Sequence, residues 1–238
     1  MDIYLPADEV KAVVLYLHGG GFRKGSPKEQ TAPHLAEVFA GKNIAVAASG
    51  YRLNGAMADL AKPDRALVRA MKAQTLRSGL GLSPRLYGAA FALALMDASG
   101  AVGALRQQFP KAPITLLGMS AGGILGLSLA HPPAQWQARL NQPDAVFAVS
   151  AAMVQPWLMR PNAPPCVMLH GSFDRIIPPA DAQLACAVAQ HCGARVDLIE
   201  TGVKGHVAQL DLLLRGRRHD GWLWIGVLED LIWKTISG

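Results

Sequence analysis

The chain is poor in cysteine, in aromatic residues and in charge. Three cysteines in 238 residues, Cys166, Cys186 and Cys192, cannot build a disulfide framework, and their spacing is not that of metal ligands. No metal site is expected. Cys166 opens an apolar run, where a buried thiol is the ordinary outcome. No stretch offers the ~20 uninterrupted apolar residues of a membrane span, so none is expected. The opening residues, Met1-Asp2-Ile3-Tyr4-Leu5-Pro6, carry neither a basic region nor an apolar run, so no signal peptide is expected and the cytoplasm is the expected location. The net charge is +6, but Lys and Arg are scattered without interleaved aromatics, which argues against nucleic acid as a partner. Arg215, Arg217 and Arg218 make the one tight basic cluster, and it reads as a solvated loop.

Apolar residues are plentiful, at 51%, which excludes disorder, and the length suffices for a substantial core. Apolar runs at Val10–Leu17, Ile44–Ala48, Ile114–Leu117, Ala145–Val149, Val167–Leu169 and Arg195–Ile199 read as strands. Between them lie helical stretches at His34–Ala40, Gly100–Phe109, Ile124–Ala130 and Ala180–His191. Gly205-His206 is expected to open another helix. Trp222–Ile236 is expected to close the chain as a helix packed on the sheet. Alternating strands and helices imply an α/β fold, with a mostly parallel sheet covered by helices on both faces. We read residues 1–238 as a single domain. In such sheets the ligand site lies beyond the carboxyl ends of the strands.

Three stretches sit at those ends. Gly118-Met119-Ser120-Ala121-Gly122-Gly123 joins a strand to a helix with the spacing Gly-x-Ser-x-Gly. That turn is tight enough to demand minimal side chains around a strained serine, whose hydroxyl then projects above the sheet. His18-Gly19-Gly20-Gly21-Phe22 follows another strand. Three glycines in a row cost backbone entropy, and they suit a sharp turn that offers N–H groups to a developing oxyanion. Neither Gly-x-Gly-x-x-Gly nor a Gly-Lys-Ser/Thr ending is present, which argues against phosphate binding there. His170-Gly171-Ser172-Phe173-Asp174 follows a third strand.

A serine hydroxyl needs a base to take its proton, and the base needs a third group to orient it. Of the seven histidines, His206 and His219 lie late enough and outside other roles, and His206 stands one strand beyond Asp174. For the acid, Asp174 directly follows a strand. Asp181 is explained as first-turn charge on a helix, and Asp197 is mid-strand. The order Ser120, Asp174, His206 is the nucleophile–acid–base order of the α/β-hydrolase fold.

Taken together, these motifs resemble the hormone-sensitive-lipase-like esterases and their relatives, among them carbohydrate-acetyl esterases, feruloyl esterases and arylformamidases. Asp2–Pro6 and Tyr51-Arg52-Leu53 share in the likeness, which spans nearly the whole chain. The resemblance implies Ser120 as nucleophile, His206 as base and Asp174 as its orienter. It also implies an oxyanion hole from the N–H groups of Gly20, Gly21 and Ala121, with Tyr51-Arg52 structural. The implied activity is hydrolysis of small carboxylic esters with no cofactor. Amide hydrolysis of the arylformamidase kind and a non-catalytic binding module are the alternatives.

Two departures stand out. Between Ala151 and Pro165 there is no room for a large helical cap. Conversely, Asn54 to Met96 is an extra stretch before Asp97, the aspartate that matches the family's next helix. Within it, Asp64–Arg77 is amphipathic, with Leu67, Val68 and Met71 on one face and Arg65, Arg69 and Lys72 on the other. It reads either as a helix laid on the body or as a small lid over the acyl pocket.

Overall fold

The computed structural model describes residues 1–237, the side chain of Ser237 excepted. Seven strands form one sheet: β1 Asp2–Tyr4, β2 Ala12–Leu17, β3 Ile44–Ser49, β4 Ile114–Met119, β5 Ala145–Val149, β6 Cys166–Gly171 and β7 Val196–Thr201. Their spatial order is β1-β3-β2-β4-β5-β6-β7, and β1 alone runs antiparallel. The helices are α1 Thr31–Phe39, α2 Lys62–Arg77, α3 Ala89–Gln108, α4 Ala121–Ala130, α5 Ala134–Gln137, α6 Pro179–Cys192, α7 Ala208–Arg215 and α8 Ile225–Ser237.

The two-residue period of a strand divides its side chains between two cores. Along β2, Val13, Leu15 and Leu17 join one core, which α2, α3, α4 and α6 cover. Ala12, Val14 and Tyr16 join the other, which α1, α7 and α8 cover. With both faces covered, β2 to β6 must be apolar on both sides, which is why they read as unbroken runs rather than alternating ones. Large side chains such as Phe39, Phe91 and Phe147 are fully buried, each worth about 1.5–3 kcal/mol.

Several boundaries differ from the sequence reading. Helix α3 starts at Ala89, well before Gly100; Ala89–Met96 is apolar on every side, so its sequence shows no helical stripe. By length and composition α3 could cross a bilayer, although Asp97 and Arg106 interrupt its apolar run. Phe91 to Leu95, Ala98, Val102 and Leu105 are instead buried in the core. Helix α8 begins at Ile225, leaving Trp222 74% exposed. The turn at Gly205–Val207 precedes α7, so His206 lies just before that helix and not in it. Between β5 and β6 the chain forms only a short 3-10 turn, Pro156–Leu158, so no cap rises there.

The extra stretch packs onto the body through α2, with Val68 and Met71 buried and Leu67 partly so. The Thr75 hydroxyl donates to the Val154 carbonyl at 3.1 Å. Asp64 is buried under the Trp136 indole and the Arg139 guanidinium, at 2.7 and 2.9 Å, and these donors hold its carboxyl below the usual range despite burial. Beyond α2 a 3-10 turn, Pro84–Tyr87, brings the chain to the carboxyl end of the sheet.

Candidate active site

Strand β4 ends at Met119 and α4 begins at Ala121, so one residue, Ser120, makes the whole turn. It does so at φ 51°, ψ −113°, a backbone conformation that costs on the order of 1–3 kcal/mol for a residue with a side chain. Its N–H donates to the Val149 carbonyl at 2.8 Å and its carbonyl accepts from Ile124 at 2.9 Å, so both strand and helix hold the strain in place. A Cβ on Gly118 would lie 2.3 Å from the Gly122 carbonyl carbon, and one on Gly122 would lie 2.1 Å from the Leu17 carbonyl oxygen. Only glycine lets β4, α4 and the end of β2 approach this closely.

His206 reaches Ser120 from the turn after β7. Its Nε2 is 2.8 Å from the Ser120 Oγ, and its Nδ1 is 2.7 Å from Asp174 Oδ2. The acid faces the imidazole through Oδ2, while Oδ1 accepts the N–H groups of Ile176 and Ile177 at 2.8 and 3.1 Å. Burial would raise the Asp174 carboxyl, but the His206 bond and these two backbone donors outweigh it and hold the carboxyl below its ordinary value. A carboxylate at Asp174 fixes the proton on Nδ1, which leaves Nε2 to accept from the serine hydroxyl.

Ser120, Asp174 and His206, far apart in the chain, are therefore brought together. His219, the other candidate for the base, is exposed in the loop between α7 and α8. Around it Arg215 pairs with Asp211, Arg218 pairs with Asp220, and Arg217 donates to the Gly221 carbonyl. Asp181 is not part of the constellation. It is buried at the start of α6, where Oδ1 accepts from the Gly81 N–H at 2.9 Å, and burial raises its carboxyl above the ordinary value. Cys166 is buried, and burial pushes its thiol up to about 12.

The glycine loop lies against the elbow. A Cβ on Gly19 would be 3.5 Å from the Ser120 Cβ. Gly20 adopts φ 106° and its carbonyl accepts from Arg23 and Lys24, closing a tight turn. Among the described residues, the N–H groups of Gly20, Gly21 and Ala121 have no acceptor. Tyr51 secures the loop from below: its hydroxyl donates to the His18 carbonyl at 2.8 Å, and its ring stacks on the His18 imidazole at 4.3 Å.

Two supporting residues, Ser150 and Gln209, escaped the sequence reading, and a third, His170, was read only as part of the stretch ending at Asp174. The Ser150 hydroxyl donates to the His206 carbonyl at 2.7 Å, anchoring His206 from the end of β5. Gln209 donates to the Val203 carbonyl at 2.8 Å and so ties down the loop that carries His206. His170 donates from Nε2 to the Ile177 carbonyl at 3.1 Å and stands 3.7 Å from Asp174 Oδ2. The clue for Ser150 was its place just after a buried strand at the same sheet end as Ser120.

A cavity of about 740 Å³ opens over Ser120 and His206, walled by Gly20, Gly21, Leu86 and Ile177. A slightly larger one, about 850 Å³, lies along β6 and β7 beside α8 and touches none of these groups. We assign the first as the candidate site because the reactive hydroxyl opens into it.

No family model matches the chain, and no curated protein matches it. Solved structures do. The chain is similar to esterase 2 of Thermogutta terrifontis phosphorylated by paraoxon, at 20% identity and a TM-score of 0.64 over 99% of this chain and 84% of that one. The native form of that esterase gives 19% identity and 0.64 over 99% and 86%. The butyrate-bound form gives 18% and 0.66 over 99% and 87%. The chain has the α/β-hydrolase fold. In that fold, Gly118–Gly122 forms the tight turn between β4 and α4.

Proposed function

We propose that the protein is a serine hydrolase that cleaves small carboxylic esters through a covalent acyl-enzyme. The observation that carries this reading is the single imidazole of His206 bridging Asp174 and Ser120 at 2.7 and 2.8 Å, at the floor of an open cavity. A non-catalytic binding module would have no use for a serine held in a strained turn against a base.

The chemistry follows from the atoms. Ser120 Oγ attacks the ester carbonyl while its proton passes to His206 Nε2. Asp174 remains ionised and balances the imidazolium that forms. The carbonyl oxygen, now negative, accepts hydrogen bonds from the N–H groups of Gly20, Gly21 and Ala121. The tetrahedral species collapses as His206 returns the proton to the leaving alkoxide oxygen, which departs as the alcohol. Water then repeats the two steps on the acyl-enzyme and releases the carboxylic acid. Neither metal nor organic cofactor enters these steps. Similarity to an esterase that has been phosphorylated by paraoxon and has bound butyrate supports the same reading.

The test is a panel of p-nitrophenyl esters of rising chain length, with formylated aniline amides alongside. We expect turnover of the short esters, and its loss in Ser120→Ala down to the roughly 10³–10⁴-fold enhancement that a site can give without its nucleophile. Turnover of the amides and not of the esters would reassign the protein to amide hydrolysis.

A further inference from the structure

The wall of the candidate cavity is positively charged. Arg23, Lys24 and Arg85 line it, and no aspartate or glutamate does. Among the described residues none of the three forms an ion pair. Arg85 comes from the 3-10 turn at the end of the extra stretch, and it stands close to the glycine loop. A Cβ on Gly21 would lie 3.9 Å from its Nε and 4.0 Å from its Nη2. Arg23 and Lys24 belong to the turn that closes onto the Gly20 carbonyl. The adjoining surface beyond His206 adds Arg175, while Lys204 there sits over the Phe173 ring.

From this we infer that the preferred substrate is an ester carrying an anionic group, a carboxylate or phosphate, which Arg85 and the Arg23–Lys24 pair hold while the carbonyl meets Ser120. This deepens the hydrolase reading and rests on it. The chemistry is specific in its sign. A planar guanidinium presents paired N–H donors that match a carboxylate or phosphate, and a neutral alkyl chain would leave them unused. A cavity lined by one sign of charge also concentrates ligands of the other. The anion could belong to the acyl half or to the alcohol half of the ester.

Two matched pairs of esters separate these sources. On the acyl side, p-nitrophenyl hemiglutarate is compared with p-nitrophenyl pentanoate. On the alcohol side, 4-acetoxybenzoate is compared with its methyl ester. In one pair we expect kcat/KM to favour the anion by about tenfold at low salt, the size that two cations give across a partly solvated gap. That preference should shrink in 0.5 M KCl, at which the screening length is only a few ångströms. It should also collapse in Arg85→Gln, and in Arg23→Gln with Lys24→Gln as the independent second variant. Equal kcat/KM within both pairs, or a preference unchanged in both variants, would overturn the inference while leaving ester hydrolysis standing. Binding is read separately on Ser120→Ala by calorimetry, with monomethyl glutarate against dimethyl glutarate. Selective uptake of the monoanion there supports the anion site even if no ester is turned over, and its absence counts against it.

Discussion

Arg52 and Asp97 meet in a two-pronged pair: Asp97 Oδ2 accepts both the Arg52 backbone N–H and its Nε, each at 2.8 Å, and Oδ1 accepts from the same guanidinium. The extra stretch is the chain between these two residues. Its ends are thus clamped together beside Tyr51, whose hydroxyl holds the glycine loop. An insertion closed off in this way can vary in length without moving the loop under it.

The clamp has a measurable consequence. Asp97→Ala lets water replace the acceptor of the exposed Arg52, and we expect a stability loss of about 0.5–1.5 kcal/mol. In a chain of this size each kcal/mol lowers Tm by roughly 2–4 °C. Thermal unfolding of the variant measures it, and an unchanged Tm would show that the pair contributes nothing.

The two buried aspartates near the site should respond oppositely to pH. Asp174 is held below its ordinary value, so it stabilises the fold above the unfolded carboxylate value of about 4 and loses that contribution as pH falls through its folded value. Asp181 is raised, so its charged form costs stability at neutral pH, and the cost fades as the group protonates. Urea unfolding of Asp181→Asn should therefore show a gain at pH 7 that dwindles toward pH 4. A loss at pH 7 would contradict the burial argument.

The same pair separates chemistry from support. Asp174→Asn removes the carboxylate that fixes the His206 tautomer, and we expect kcat to fall by about 10³–10⁴-fold. Asp181→Asn, whose partner is the Gly81 N–H, should stay near wild type. Comparable losses would place the acid elsewhere.

Helix α2 reads as part of the body. Met71 is buried against the core, and Met71→Ala should cost about 2–5 kcal/mol without reordering the preference among ester chain lengths. A reordered preference with an unchanged Tm would instead make α2 a lid. The residues of the extra stretch that do face the cavity are Asn54, Ser83, Arg85 and Leu86.

Much of this was legible before any coordinates. Strands β2 to β6 announce themselves because burial on both faces makes them continuous apolar runs; the glycine loop, the elbow and the Asp174 stretch each follow one of them, while His206 follows the partly exposed β7. The elbow and the glycine loop are readable since their backbone geometry demands glycine at fixed places. Asp174 and His206, which the structure brings to Ser120, could be named as candidates from chain order and from their places just after strands. Helix α3 was half hidden, because a helix buried all round has no polar face to mark its period. Position after a buried strand was the one clue to Ser150, and Gln209 offered none, since both act through backbone carbonyls of His206 and Val203 that only folding brings near.

The most direct test of the central claim is the mass of the intact protein after reaction with paraoxon. We expect one diethylphosphoryl adduct per chain, mapped by peptide sequencing to Ser120, appearing in step with loss of esterase activity and absent from Ser120→Ala. Complete inactivation with the adduct on another residue, or full esterase activity in Ser120→Ala, would contradict the account.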